Sequence, residues 1–345
     1  MDVINLRSDT QTLPTEAMLN AIRNAPLGDD TYDEDPTVQK LERLAADMLG
    51  KEAALLLISG NMANLAAMMA HAAPGDEVLL DPESHIFYYE VGGMANIAGL
   101  MPMPVASHDG LLDPDDVKAS IRKKNLHYPS PRLLCLENTH NRAGGIVVPL
   151  DRHNALCQVA RDHGLAVHLD GARIFNAAIA AGVSAKDFAS PVDSVMFDLS
   201  KGLSCPLGSV LVGSRALIEK ADRVRKRLGG GMRQAGIIAA AGIVALETMI
   251  DRLADDHRRA RALAEGISQI PGFKVNLKRV QTNMVYADHS QTSLATEEVM
   301  NRLKKAGVIV SARPPKEVRL VTNRHHDDAT ITEALRRMKQ AFLPA

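Results

Sequence analysis

Three places in this chain have residue types and settings that suit carbonyl chemistry. Lys201 sits in Leu199-Ser200-Lys201-Gly202-Leu203-Ser204-Cys205-Pro206-Leu207-Gly208, between an apolar run that ends at Leu199 and a second one, Val210-Leu211-Val212. Glycine, serine and proline there are turn chemistry, so the lysine belongs to a tight loop at a strand end. A desolvated lysine favours its neutral amine, a nucleophile toward carbonyls. Asp170 closes the apolar run Leu165-Ala166-Val167-His168-Leu169. A carboxylate at the C-terminal end of a parallel strand stands where ligands bind in open α/β sheets. Ser59-Gly60-Asn61 separates the apolar run 53–58 from a helix reaching residue 73. A small-residue turn that opens a helix leaves backbone N–H groups free for an anion.

These residues need a frame, and the chain supplies one by alternating short apolar strands with helices. Strands are expected at 53–58, 77–80, 101–105, 133–136, 165–169 and on both sides of Lys201, with helices at 15–22, 37–49, 150–163 and 217–227. That alternation predicts an α/β protein with a mostly parallel sheet covered on both faces. From residue 250 the composition becomes more charged. Helices at 253–270 and 295–306, strands at 275–277, 282–286, 307–310 and 317–321, and a final helix read as a smaller α+β domain. The expected division is an arm (1–14), a large domain (15–249) and a small domain (250–345). The stretch Leu228-Gly229-Gly230-Gly231-Met232-Arg233-Gln234 follows a basic helix and opens an apolar one, and Arg233 at its mouth suggests an anion partner. The acidic loop from Gly28 to Pro36 reads as a solvated turn. Its spacing fits no EF-hand, so no metal is expected.

Composition narrows the function classes. The 345 residues carry a formal charge of -1 with no basic stripe, which excludes a nucleic-acid binder. Cys135, Cys157 and Cys205 have no ligand spacing and read as reduced thiols. The first seven residues lack a secretion signature, and the longest apolar run, 235–246, is too short for a bilayer. The expectation is a cytoplasmic protein without membrane partners. An amine for an aldehyde, a carboxylate for a basic ring nitrogen and a cradle for a phosphate together point to pyridoxal 5'-phosphate. Its protonated ring serves as an electron sink.

Six segments then fall into a pattern: Leu6-Arg7-Ser8-Asp9-Thr10, Gly28-Asp29-Asp30-Thr31-Tyr32, Leu136-Glu137-Asn138-Thr139-His140-Asn141, His168-Leu169-Asp170-Gly171-Ala172-Arg173, Leu199-Ser200-Lys201-Gly202 and Gly229-Gly230-Gly231-Met232-Arg233-Gln234. In this order they resemble the low-specificity L-threonine aldolases, fold-type I pyridoxal-phosphate enzymes of the β-eliminating lyase group. The resemblance covers nearly the whole chain. It implies that Lys201 bonds the cofactor aldehyde, Asp170 pairs with the ring nitrogen, His85 lies over the ring, and Gly60 and Asn61 hold the phosphate. It further implies that Arg173 and Arg319, assisted by Ser8, hold the cofactor edge and the substrate carboxylate. A planar guanidinium suits a carboxylate because it can engage both oxygens. His127 matches a histidine that contacts the substrate hydroxyl, and Arg233 a phosphate contact from a neighbouring subunit, which implies a homodimer or homotetramer.

The activity so implied is retro-aldol cleavage of L-threonine, L-allo-threonine and related β-hydroxy-α-amino acids to glycine and an aldehyde. His85, His127 or a water serves as the base. The sequence departs from the pattern at Asn61, where threonine is frequent, at Cys205, where a small residue is usual, and at Asn323, where histidine is common. The competing readings are a β-eliminating lyase or an aminotransferase on the same fold. A dinucleotide-binding protein is disfavoured by the lack of a Gly-x-Gly-x-x-Gly turn. A non-catalytic binding protein would have no need of Lys201.

Overall fold

The computed structural model describes residues 2–343. By its contacts the chain divides into two compact units. The larger holds 13–143 and 147–250; the smaller holds the described residues of 1–12, 144–146 and 251–345. Residues 2–12 thus pack with the C-terminal part of the chain, although the sequence reads as an arm there.

A seven-stranded sheet forms the larger unit: β1 (Ala53–Leu57), β2 (Glu77–Leu80), β3 (Met101–Pro104), β4 (Pro131–Glu137), β5 (Ala166–Asp170), β6 (Ser194–Asp198) and β7 (Ser209–Gly213). Their spatial order is β1-β7-β6-β5-β4-β2-β3. Only β7 runs against its neighbours, pairing antiparallel with both β1 and β6; every other pairing is parallel. Six strands therefore end on the same edge, where β7 begins. Every residue of β6 and β7 is buried, which is why their sequences are short apolar runs rather than alternating ones.

The helices start where the local chemistry dictates. Asp35 caps Pro36–Leu49 by accepting from the N–H groups of Thr37 and Val38, Pro36 stands in the first turn, and Gly50 ends the helix in a left-handed conformation. Ser59 caps Gly60–His71 through the N–H of Met62. The alanines of that helix lie on Leu55, Leu57, Met196 and Leu211 of the sheet, together with Leu217, Ile218, Ala221 and Val224 of Arg215–Arg227. Among the described residues, no helix is long and apolar enough to cross a membrane.

In the smaller unit, Glu317–Val321 runs antiparallel between Met284–Asp288 and Ser311–Arg313. Helices Leu253–Ile267, Thr296–Lys305 and Asp328–Ala341 pack with the sheet around Leu263, Val285, Val318 and Leu320. The N-terminal strand Ile4–Asn5 lies parallel to Val308–Ile309, and Leu6 accepts from the N–H of Val321. One expected strand is not formed. Residues 275–277 lead instead into a 3-10 turn, Leu277–Arg279, because the Asn276 side chain accepts from the N–H of Lys278 and closes a local turn.

Candidate active site

The edge where six strands end carries a cavity of about 240 Å³ whose walls include Ser59, Gly60, Asn61, His85, Asp170 and Lys201. These residues come from the start of one helix, from a helical turn after β2, from the end of β5 and from the loop after β6. Gly60 suits its position for steric reasons: a Cβ there would sit 2.8 Å from Asp198 Oδ1 and 3.0 Å from the Met196 methyl carbon.

The Lys201 side chain is largely buried, as a strand-end loop allows, and it meets a carboxylate there. Its Nζ lies 2.5 Å from Asp198 Oδ2, and Ser209 donates its hydroxyl to the other carboxylate oxygen. Asp198 ends β6, so the amine and its carboxylate share one strand–loop junction. Asp170 is 2% exposed. Its Oδ1 accepts from the N–H of Ala172 at 3.1 Å and its Oδ2 from the Asn64 amide at 2.9 Å. Burial raises its pKa, the Glu137 and Glu90 charges raise it further, and His85 and Lys201 act against them.

His85 hydrogen-bonds through Nδ1 to Glu90 Oε1 at 2.9 Å, and its backbone N–H donates to Glu137 Oε2 at 2.6 Å. Burial favours the neutral ring, but the Glu90 hydrogen bond and the charges of Asp170, Glu90 and Glu137 outweigh it, so its pKa is raised. His85, Glu90 and Asp170 offer polar atoms within 4.8 Å of one another. The Asn64 amide lies between the two carboxylates, bonding both Asp170 and Glu90, while the His85 ring bonds Glu90 alone. Asn64, Glu90 and Asp198 escaped the sequence reading, and Glu137 stood in a motif segment without an assigned role. Asn64 left one trace: a polar residue on the buried face of an otherwise alanine- and methionine-rich helix.

The remaining expected residues are placed as follows. Arg173 is buried at the start of helix Ile174–Ala181, next to the cavity-lining Ala172. His127 is exposed in the loop before β4, does not line this cavity, and donates its backbone N–H to Asn125. Arg233 is mostly exposed, and its guanidinium donates to Thr31 Oγ1 at 2.6 Å with Asp29 Oδ1 at 3.8 Å. The acidic loop of the same chain thus places an anion beside Arg233. That loop is exposed at residues 31–34 but anchored at its end, where the buried Asp35 accepts from the N–H groups of Gly28 and Gly236.

Ser8 and Arg319 belong to the smaller unit. Ser8 caps a 3-10 turn through Thr10, and Arg319 lies on the central strand of the three-stranded sheet, opposite Tyr286 and Ser311. Asn323 is buried and donates to the Ser8 carbonyl at 3.3 Å, so it ties down the N-terminal segment. His326 is buried as well and bonds the Asn5 carbonyl, while Asp327 caps the last helix.

A mostly parallel sheet with a lysine and a buried aspartate at neighbouring strand ends, beside an open helix N-terminus, defines the fold-type I class of pyridoxal-phosphate proteins. Residues 5–290 match the beta-eliminating lyase family, and the chain belongs to that family. Low-specificity L-threonine aldolase 1 of Arabidopsis thaliana is 42% identical over 348 residues, covering 99% of this chain and 97% of the plant protein. Low specificity L-threonine aldolase of Escherichia coli (strain K12) is also 42% identical, over 93% of this chain and 94% of its own length. The threonine aldolase of Leishmania major superposes with a TM-score of 0.84 at 18% identity, covering 99% of this chain and all of that one, a likeness of fold.

Proposed function

We propose that this protein cleaves L-threonine, L-allo-threonine and related β-hydroxy-α-amino acids to glycine and an aldehyde, with pyridoxal 5'-phosphate as cofactor. The observation that carries the reading is one cavity walled by an amine, a buried carboxylate and a helix N-terminus. The residues fit the cofactor. Lys201 is the amine for its aldehyde, Asp170 the carboxylate for its ring nitrogen, and the N–H groups at Gly60 and Asn61 the cradle for its phosphate. When bound, pyridoxal phosphate supplies an aldehyde for the substrate amine and a protonated ring that draws away the electron pair released at Cα.

The chain's own residues supply the proton handling. Asp198 Oδ2, 2.5 Å from Lys201 Nζ, takes the proton that the amine must lose before attacking a carbonyl. His85 has Nδ1 committed to Glu90, which leaves Nε2 for the β-hydroxyl proton, directly or through a water. Loss of that proton turns the hydroxyl into the aldehyde carbonyl as Cα–Cβ breaks, and a proton returned to Cα completes glycine. His127 does not line this cavity, so His85 or a water held by it is the favoured base. The carboxylate-binding roles of Ser8, Arg173 and Arg319 rest on the motif match, as do the phosphate contact of Arg233 with a neighbouring subunit, assembly as a homodimer or homotetramer, and a cytoplasmic location.

The test joins spectrum and product. Purified protein given pyridoxal phosphate should absorb at about 420 nm, and borohydride should fix the cofactor to Lys201. Threonine should then yield acetaldehyde and glycine. Ammonia or a keto acid as the main product would favour elimination or transamination instead. A Lys201→Ala protein that borohydride still labels would refute the assignment.

A further inference from the structure

The site rests on a buried chain of hydrogen bonds that the chemistry above does not use. Asn64 and His71 lie seven residues apart on helix Gly60–His71, two turns along the same face. Beneath them, His168 and Ser194 are register partners on β5 and β6. His71 Nε2 meets Ser194 Oγ at 2.8 Å, Ser194 Oγ meets His168 Nδ1 at 2.8 Å, and His168 Nε2 meets Asn64 Oδ1 at 3.0 Å. The Asn64 amide nitrogen then bonds Asp170 Oδ2 at 2.9 Å and Glu90 Oε1 at 2.8 Å. Asn64, His168 and Ser194 are at most 1% exposed, while His71 is half-buried at the helix end.

The direction of every bond follows from one end. Both carboxylates accept, so both Asn64 N–H groups must point at them and Asn64 Oδ1 must accept from His168 Nε2–H. A neutral His168 then has a bare Nδ1, which accepts a hydrogen bond from the Ser194 hydroxyl, and Ser194 Oγ accepts from His71 Nε2–H. Burial keeps both rings neutral, with the pKa lowered to about 4 for His71 and about 3 for His168. Turning the Asn64 amide over would aim its carbonyl at two carboxylates and would require every other bond to reverse. The chain is thus locked in one sense. It is not a proton wire, because a side-chain amide does not pass protons along.

We propose that Asn64, locked by His168 and Ser194, is a positioning residue that holds the Asp170 carboxylate fixed and anionic for the cofactor's ring nitrogen, and at the same time holds Glu90 against His85. This rests on the function proposed above. The other charged groups around Asp170 are Glu137, Glu90, His85 and Lys201. Two of them are carboxylates whose repulsion the Asn64 amide offsets. Sequence separations of 26, 104 and 106 residues bring the polar groups to Asn64, so the unit exists only in the folded chain.

The experiment compares wild type with Asn64→Ala, His168→Leu, His168→Gln and Ser194→Ala. Each protein is loaded with pyridoxal phosphate, and the readouts are the pH titration of the bound-cofactor absorption, kcat and KM for threonine, and Tm. Losing a donor to a charged carboxylate should lower kcat by about tenfold or more. KM should change far less. The absorption midpoint should move to lower pH, because a less firmly anionic Asp170 holds the ring proton less well. His168→Leu should behave like Asn64→Ala, Ser194→Ala should shift in the same direction by less, and His168→Gln, whose amide can still donate to Asn64, should recover most of the wild-type profile. If Asn64→Ala fails to fold, the His168 and Ser194 variants carry the same comparison. Variants that lose Tm yet keep the wild-type midpoint and kcat would show a merely structural role and overturn the proposal. Wild-type protein that takes up no pyridoxal phosphate would overturn the proposed function and this inference with it.

Discussion

Replacing Gly60 with alanine sets two effects of opposite sign against each other. Alanine favours a helix over glycine by up to about 1 kcal/mol, so helix propensity alone makes the change stabilising. The added Cβ would stand 2.8 Å from Asp198 Oδ1, about 0.6 Å inside ordinary contact. The obstacle is not a flexible side-chain end. Asp198 is pinned on one side by Ser209 and on the other by Lys201 Nζ at 2.5 Å. Relief therefore means displacing a buried carboxylate from its partners, and a hydrogen bond to a charged group contributes about 1.5–3 kcal/mol. The net expectation is a destabilisation of about 0.5–2 kcal/mol, which at about 2–4 °C per kcal/mol is a modest fall in Tm. The larger consequence falls on the site, because the same shift moves Lys201 and narrows the helix N-terminus. Titrating pyridoxal phosphate into Gly60→Ala by absorbance should give an affinity at least about tenfold weaker, the loss of roughly one such bond. A variant that melts higher than wild type and binds the cofactor equally well would refute the steric argument and with it the role given to the Ser59–Asn61 turn.

Three further outcomes are expected. Arg319→Ala should cost about 2–5 kcal/mol of substrate binding, read as a raised KM for threonine with cofactor affinity little changed; an equal loss for an analogue lacking the carboxylate speaks against that role. Inactive Lys201→Ala and Arg233→Ala chains, mixed under conditions that allow exchange, should regain some activity if Arg233 serves a neighbouring subunit's site, and well-exchanged mixtures that stay inactive would exclude this. The pH dependence of stability follows from five histidines that burial depresses to about 3–4: His71, His153, His168, His257 and His326. The unfolded chain takes up protons that they refuse, so their contribution is complete above about pH 6.5 and is lost as pH falls toward 4. Glu42, raised to about 7, and Asp170, raised to about 6, act in the opposite sense, as do Asp30, Glu77, Asp256, His85 and His140, whose upward shifts are smaller; the five strongly depressed histidines outweigh them. Melting curves should therefore show Tm falling from pH 7.5 to pH 5, and a Tm that rises over this interval would contradict the balance.

Much of the frame was legible locally because strands buried on both faces must be short apolar runs and helix starts carry their own caps. The strands on either side of Lys201, Asp170 at the end of β5 and the Ser59 cap are of this kind. Each rests on residues within a few positions of one another. Where local evidence was thin it misled: Val275 and Leu277 read as a strand, but Asn276 offers its own backbone a tighter turn. The six motif segments, read from the sequence alone, mark the candidate cofactor residues. What the sequence by itself could not decide is which side chains meet. The reversed β7, the clamp of Asp198 on Lys201, the Asp29 partner of Arg233 and the tie between Asn323 and Ser8 all depend on which strand or loop packs beside which. The Asn64 network is the extreme case. Its members look like stray polar residues along the chain, and burial gives them a single shared pattern of hydrogen bonds because each polar group must find a partner once water is gone.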